Sequence, residues 1–139
     1  TLLFPFYHNN NVVFIQGRTI QGPDGYSNYL NLSKTIPMPY NSSAITWDYN
    51  RGKEVRICEG IIDTLTLCSR GIDTVGILGV QNFKTEWVKL FDENAITPVI
   101  AFDNDKAGDE AAKKMVNIFN RDLKREIPIK GKDWNECFN

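Results

Sequence analysis

The sequence predicts an α/β fold, a parallel sheet of about four strands flanked by helices and preceded by a small antiparallel β unit. Three observations carry this. The first part of the chain sets aromatic and β-branched runs between clusters of turn-forming residues. From Lys53 onward, short apolar runs of strand length alternate with longer stretches of helical periodicity. Those short runs are apolar throughout rather than alternating, the mark of strands covered on both faces. At 139 residues the chain can bury a core of its own. The change of pattern near residue 50 divides it into a β-rich unit with a connector, residues 1–50, and an α/β unit, residues 51–139.

In order, "LLFPF", "VVFIQGRTI" and "YSNYLNL" read as strands of a meander, with "YHNNN" and "QGPDG" as its turns. Residues 36–50, with two prolines and several turn formers, read as a connector. "EVRICEG" is a strand and "IIDTLTLCSRG" a helix, with Leu65 and Cys68 on one face and Gly71 as its stop. "TVGILGV" is the next strand, followed by a helix around "KTEWVKLFDEN". "TPVIAFD" is the third strand of this series. The helix after it, "AGDEAAKKMVNIFNRD", carries Ala111, Met115, Ile118 and Phe119 at helical spacing. "KREIPI" reads as a fourth strand, which "KGKDWNECFN" then leaves.

Composition narrows the function. A net charge of −1 lacks the basic excess that by itself drives tight nucleic-acid binding, so any such contact is local or shared with other segments. Cys58, Cys68 and Cys137 form no CxxC pair and His8 lies far from them, so neither a disulfide framework nor a zinc site is indicated. No apolar run is long enough to cross a bilayer and no signal-peptide pattern is present, which points to a soluble, cytoplasmic chain without membrane partners. A first residue of threonine points to a piece of a longer protein.

The chemistry lies in the acids. In an open parallel sheet, functional groups gather at the carboxyl ends of the strands. Glu59 ends one strand; Asp103 ends another, and Asp105 follows at the spacing that keeps both aspartates on one side of an extended chain. If the two strands are neighbours, the three carboxylates share one rim. Like charges 4 Å apart repel by about 4 kcal/mol at an effective dielectric near 20, so a convergent triad calls for a cation. Hard oxygen ligands without soft neighbours favour Mg²⁺ or Mn²⁺. The residues alone leave a second reading open, in which Asp105 caps the following helix and Asp109 and Glu110 complement its dipole.

"VRICEGIIDTLTLCSRGIDTVGILGV" and "VIAFDNDKAGDEAAKKM" together resemble a TOPRIM domain, the Rossmann-like metal-binding module of bacterial-type primases, topoisomerases and several nucleases. A strand ending in Glu-Gly and a later one ending in Asp-x-Asp are its signature elements. The resemblance is greatest to the bacterial-type DNA primases, in the Asp63 that follows the Glu-Gly pair and in "DNDKAG". It extends upstream, where "FPFYHNNNVVFIQGR" and "NYLN" resemble primase elements, so that it covers about Phe4 to Asp133.

The resemblance implies a fragment of a primase catalytic core. Glu59, Asp103 and Asp105 would be its catalytic and metal-holding residues, with Asp63 and Asp133 completing the acidic rim. Arg18 and Asn31 would contact the incoming nucleotide's phosphates and the active-site edge; Lys106, read from the residues alone, is either a phosphate contact beside the metals or a solvated lysine of the helix entry. The implied reaction is nucleotidyl transfer with Mg²⁺ or Mn²⁺, joining nucleoside triphosphates into RNA primers on a single-stranded DNA template during replication. A replicative helicase is an implied partner through segments outside this chain, and the fragment alone is expected to be inactive. The alternatives are a TOPRIM nuclease or topoisomerase-like enzyme, and a non-catalytic module that binds DNA or protein on the same scaffold.

Other residues read as structural. Gly60 is expected to serve a tight strand-to-helix turn and Gly108 a close helix entry. Trp47, Trp87 and Trp134 are candidates for base stacking but are expected in the core or an interface. His8 is expected on the surface and Cys58 as a buried, reduced thiol.

Overall fold

The computed structural model describes residues 1–20, 29–33 and 35–139. Three strands open the chain: β1 (Leu2–His8), β2 (Asn11–Arg18) and β3 (Tyr29–Asn31), paired antiparallel in the order β1-β2-β3. The expected meander is thus formed. The turn "QGPDG" and the start of "YSNYLNL" lie outside the described residues. Asn9 and Asn10 make the β1–β2 turn in left-handed backbone conformation, which asparagine tolerates well. Alternation buries Phe4, Phe6 and Phe14 on one face of this sheet.

The connector is more built than its prolines suggest. It contains α1 (Ser43–Thr46) and a 3₁₀ turn, Asp48–Asn50. Tyr40 exchanges two backbone hydrogen bonds with Gly76, of 2.7 and 3.1 Å. Its ring meets Phe4 and Phe6 edge-on, so the connector ties the antiparallel unit to an edge of the second sheet.

That second sheet holds four parallel strands: β4 (Glu54–Cys58), β5 (Thr74–Gly76), β6 (Thr97–Ile100) and β7 (Lys124–Arg125), in the order β5-β4-β6-β7. The helices between them are α2 (Ile61–Cys68), α3 (Thr85–Glu93) and α4 (Lys106–Phe119), with α5 (Trp134–Phe138) at the end. From β4 the chain winds outward to β5, then returns across β4 to β6 and β7. Right-handed crossovers therefore put α2 on one face of the sheet and α3 and α4 on the other. Val55, Ile57, Trp87, Phe91, Met115 and Phe119 belong to the main core, which runs without a break to Phe4 and Phe6. Cys58, Leu67, Ala101 and Trp134 form a smaller cluster under α2 and α5.

Three details differ from the sequence reading. On α2 the buried positions are Ile61, Thr64 and Leu67, while Leu65 is exposed. Thr64 tolerates burial because its hydroxyl donates to the Gly60 carbonyl at 2.7 Å, which hides its polarity from a count of apolar residues. "KREIPI" forms a strand only over Lys124 and Arg125, with the Glu126 N–H still donating to the Ile100 carbonyl at 2.8 Å; beyond it Pro128 offers no N–H and Ile127 turns outward. "KDWNECFN" folds into α5, capped by Asp133, whose side chain accepts from the Glu136 N–H at 2.7 Å.

The glycines separate sharply. A Cβ on Gly108 would lie 2.1 Å from the Asp103 carbonyl oxygen, so only glycine lets α4 start against that backbone. Gly60 has an ordinary extended backbone, and a Cβ there would meet nothing within 4 Å. Contrary to the expectation of a tight turn, no backbone requirement holds a glycine at Gly60. Gly108→Ala is expected to cost about 2–4 kcal/mol in denaturant unfolding. Gly60→Ala should cost less than about 1 kcal/mol. Equal costs would contradict this packing.

Candidate functional site

The winding direction reverses between β4 and β6, and this topological switch point is where open parallel sheets bind ligands. β4 and β6 are hydrogen-bonded neighbours from Glu54 and Thr97 to Ile57 and Ile100. Glu59 follows β4 by one residue and Asp103 follows β6 by three, beyond the buried pair Ala101 and Phe102. Glu59, Asp63 and Asp103 line one cavity of about 470 Å³, and Gln16, Tyr29 and Asn31 of the antiparallel sheet line it too. The cleft thus has an acidic wall from the parallel sheet and an uncharged polar wall from the meander.

The acids feel one another. Burial raises the Glu59 carboxyl above its ordinary range, and the charges of Asp103, Asp105 and Asp63 push it the same way. Asp103 is also raised by burial, against the pull of Lys132. Asp63 is pushed up to about 6, first by burial and then by Asp133 and Asp103, although its carboxylate accepts the Asn135 N–H at 3.1 Å. Asp105 moves the other way, because its Oδ1 accepts the Gly108 N–H at 2.7 Å and its Oδ2 lies 3.3 Å from the Lys132 ammonium. Asp105 is thus the N-cap of α4 and a member of the acidic rim at once.

Lys132 is the rim residue that the sequence reading missed. Its Nζ is 3.8 Å from Asp103 Oδ2 and 3.3 Å from Asp105 Oδ2, although its side chain is largely exposed. It stands in the "KGKD" turn, where a lysine next to an acid looks like ordinary surface. On the other side Arg125 donates to the Asp103 carbonyl at 3.0 Å and pairs with Asp109. Among the described residues, no three His, Cys, Asp or Glu side chains are placed to hold a metal ion as they stand.

The remaining candidates divide. Asn31 lines the cleft, its Oδ1 accepting from Gln16 Nε2 at 2.9 Å. Arg18 lies beside it at the end of β2, with its guanidinium 5.5 Å from the centre of the Tyr29 ring. Lys106 opens α4 on the surface. Trp87 and Trp134 are buried, Trp134 donating to the Ala101 carbonyl at 2.9 Å, whereas Trp47 is exposed. His8 is exposed, and Cys58 is a buried free thiol.

A parallel sheet with an acidic carboxyl edge facing a small antiparallel sheet defines a class, and comparison with known proteins agrees. The model of the Toprim-like family matches residues 56–138, and the chain belongs to that family. It is 33% identical over 130 residues to the gene 57 protein of Mycobacterium phage D29, covering 93% of this chain and 80% of that protein. It is 28% identical over 124 residues to the DNA primase of Campylobacter jejuni, covering 81% of this chain but 20% of that protein. Among solved structures, a DNA primase domain from Pseudomonas aeruginosa superposes with a TM-score of 0.75 at 22% identity, covering 96% of this chain and 44% of that one. The primase fragment of the bacteriophage T7 primase-helicase gives 0.68 at 22% identity, covering 98% of this chain and 56% of that one. The chain is thus a Toprim-like protein similar in sequence to a DNA primase, and its two sheets together have the fold seen in the primase Toprim core.

The raised carboxyls set a pH dependence. Asp63 in the folded chain keeps a proton that the unfolded chain has released, so its contribution to stability is full below its ordinary pKa of 3.8 and is lost as pH rises to about 6. Glu59 and Asp103 act in the same direction. In chelator-containing buffer, Asp63→Asn, which keeps an acceptor for Asn135, is expected to gain on the wild type as pH rises through this window and to track it above. Parallel curves in urea unfolding would remove Asp63 as the cause.

Proposed function

We propose that this chain is the metal-binding half of a primase core, acting in template-directed synthesis of RNA primers from nucleoside triphosphates on single-stranded DNA. The observation that carries the reading is one cleft lined by Glu59, Asp63 and Asp103 on one side and by Gln16, Tyr29 and Asn31 on the other. Glu59, Asp103 and Asp105 are the proposed holders of Mg²⁺ or Mn²⁺, with Asp63 and Asp133 in support and Arg18, Asn31 and Lys106 toward the nucleotide or DNA. The donor chemistry fits such an ion: the ligands are carboxylate oxygens, and the nearby Cys58 thiol is buried and held protonated by that burial. When bound, such ions offset charge on the transferring phosphoryl group.

Before any metal arrives, Lys132 supplies one positive charge to Asp103 and Asp105. A divalent ion would displace it, and an exposed, four-carbon side chain can swing away at small cost. The chain's own residues would then position the nucleotide between the two sheets. We further propose the division at residue 50, with 51–139 as the Toprim unit; the family match at 56–138 falls inside it. Template contacts and any helicase contact are assigned to the rest of a longer protein, since this chain spans only about half of the solved primase chains it resembles.

Calorimetric titration with Mn²⁺ tests the site. Glu59→Gln and Asp103→Asn are expected to weaken binding by about tenfold or more, roughly the worth of one charge-assisted contact. Asp103→Ala should nonetheless be as stable as the wild type without metal, because a repelling carboxylate has gone, and Lys132→Met should bind Mn²⁺ at least as tightly. Unfolding of Asp103→Ala in metal-free buffer would make the aspartate structural. Primer synthesis by the full-length parent should vanish in Glu59→Gln, whereas metal-dependent cleavage of DNA without synthesis would favour the nuclease reading.

DNA affinity measured against salt gives a separate test. With a net charge of −1 the chain is expected to bind single-stranded DNA weakly and to lose that binding as salt rises. Tight binding at physiological salt would favour a stand-alone DNA-binding module.

A further inference from the structure

Gln16 stands in β2 with its side chain in the cleft and is 4% exposed. Its Nε2 donates to Asn31 Oδ1 at 2.9 Å, across the register pair Gln16–Asn31 of β2 and β3. Its Oε1 is buried and, among the described residues, without a hydrogen-bond partner. An unpaired buried amide oxygen is destabilising, and a strand position between Ile15 and Gly17 is open to any apolar residue. A glutamine here is therefore explained by a donor that arrives in the cleft.

The bond to Asn31 fixes what the pair offers. Gln16, which lines the cleft, holds an unpaired acceptor, and the exposed Asn31, whose own oxygen is engaged, carries a donor beside it. If both amides turn over together the bond survives with roles exchanged, and the pair still has one donor and one acceptor to spare. Phosphate oxygens accept only and are repelled by the free carbonyl, so this is not the phosphate end of the cleft. The acidic wall opposite, where a cation would gather phosphates, is that end.

On the primase reading, on which this inference rests, base choice belongs to the template, and a protein contact that read a base edge would penalise some of the four nucleotides. The group common to all four that can both donate and accept is a sugar hydroxyl. We propose that the Gln16–Asn31 pair binds the ribose hydroxyls of the incoming nucleotide and so selects ribonucleotides over deoxyribonucleotides.

The test compares Mn²⁺-supported binding of ATP with dATP, and of CTP with dCTP, by calorimetry. The wild-type chain is expected to prefer the ribonucleotide about 5- to 10-fold for both bases, the worth of one net hydrogen bond. Gln16→Leu should bring that ratio close to one. A merely structural loss would weaken ribo and deoxy forms alike and leave the ratio standing. Should Gln16→Leu fail to fold, Asn31→Ala, at an exposed position, is expected to reduce the ratio in the same way. Binding without ribose preference in the wild type, a ratio unchanged in the folded variants, or a preference that follows the base would overturn the proposal while leaving the primase reading intact. Failure of the wild type to bind any of the four nucleotides would overturn both.

Discussion

The parallel pairing of β4 with β6 is the constraint from which the carboxyl edge of this molecule follows. It sets the loop after Cys58 beside the loop after Ile100, and with them Glu59 and Asp103, at the point where the winding of the sheet reverses. The pairing is apolar and insensitive to charge, held by residues such as Val55, Ile57, Val99 and Ile100 that are fully or almost fully buried. It therefore imposes proximity on the acids whatever their mutual repulsion. The rim answers with a few specific contacts: the Gly108 N–H and Lys132 on Asp105, the Asn135 N–H on Asp63, and raised protonation on Glu59 and Asp103.

A second constraint is steric. α4 begins so close to the backbone of Asp103 that a Cβ on Gly108 would meet its carbonyl oxygen. That approach brings the first turn of the helix, with its unpaired N–H groups, up to Asp105, whose cap holds the loop between strand and helix. The "DNDKAG" run thus packs two functions into one turn. Its first aspartate faces the cleft while its second both ends the loop and joins the rim. The two readings that the sequence left open for Asp105, helix cap and acidic partner, are compatible because a carboxylate has two oxygens.

Much of this was legible in the sequence, for identifiable reasons. Buried parallel strands are apolar without interruption, and "VRIC" and "PVIAF" are hard to read otherwise; Glu59 and Asp103 stand out at their ends because charge there breaks the pattern. What escaped was set by contacts distant in sequence. α5 is five residues long and is made stable by Trp134 reaching the Ala101 carbonyl and by Asp63 taking its Asn135 N–H, neither of which leaves a periodic trace. The buried face of α2 was misjudged because Thr64 satisfies its hydroxyl within the helix. Lys132 and Gln16 were missed for opposite reasons, the one looking like any surface lysine and the other like a minor interruption in an apolar strand.

The two walls of the cleft come from sheets of different construction, and the molecule fixes them against each other by apolar means. Tyr40 bridges β5 through its backbone and meets Phe4 and Phe6 with its ring, and the core that contains both phenylalanines, with Tyr40 packed against it, continues beneath α3 and α4. The distance between charged and uncharged walls is therefore set by packing, which changes little with pH or salt. The acidic wall, by contrast, responds to both, since its protonation and its pairing with Lys132 are electrostatic. A ligand with an anionic end and a neutral polar end suits such a cleft: the anionic end requires a cation at the rim, while the neutral end meets a surface already ordered by the Gln16–Asn31 bond. On the proposed reading, the orientation of such a ligand would follow from the asymmetry of the walls alone.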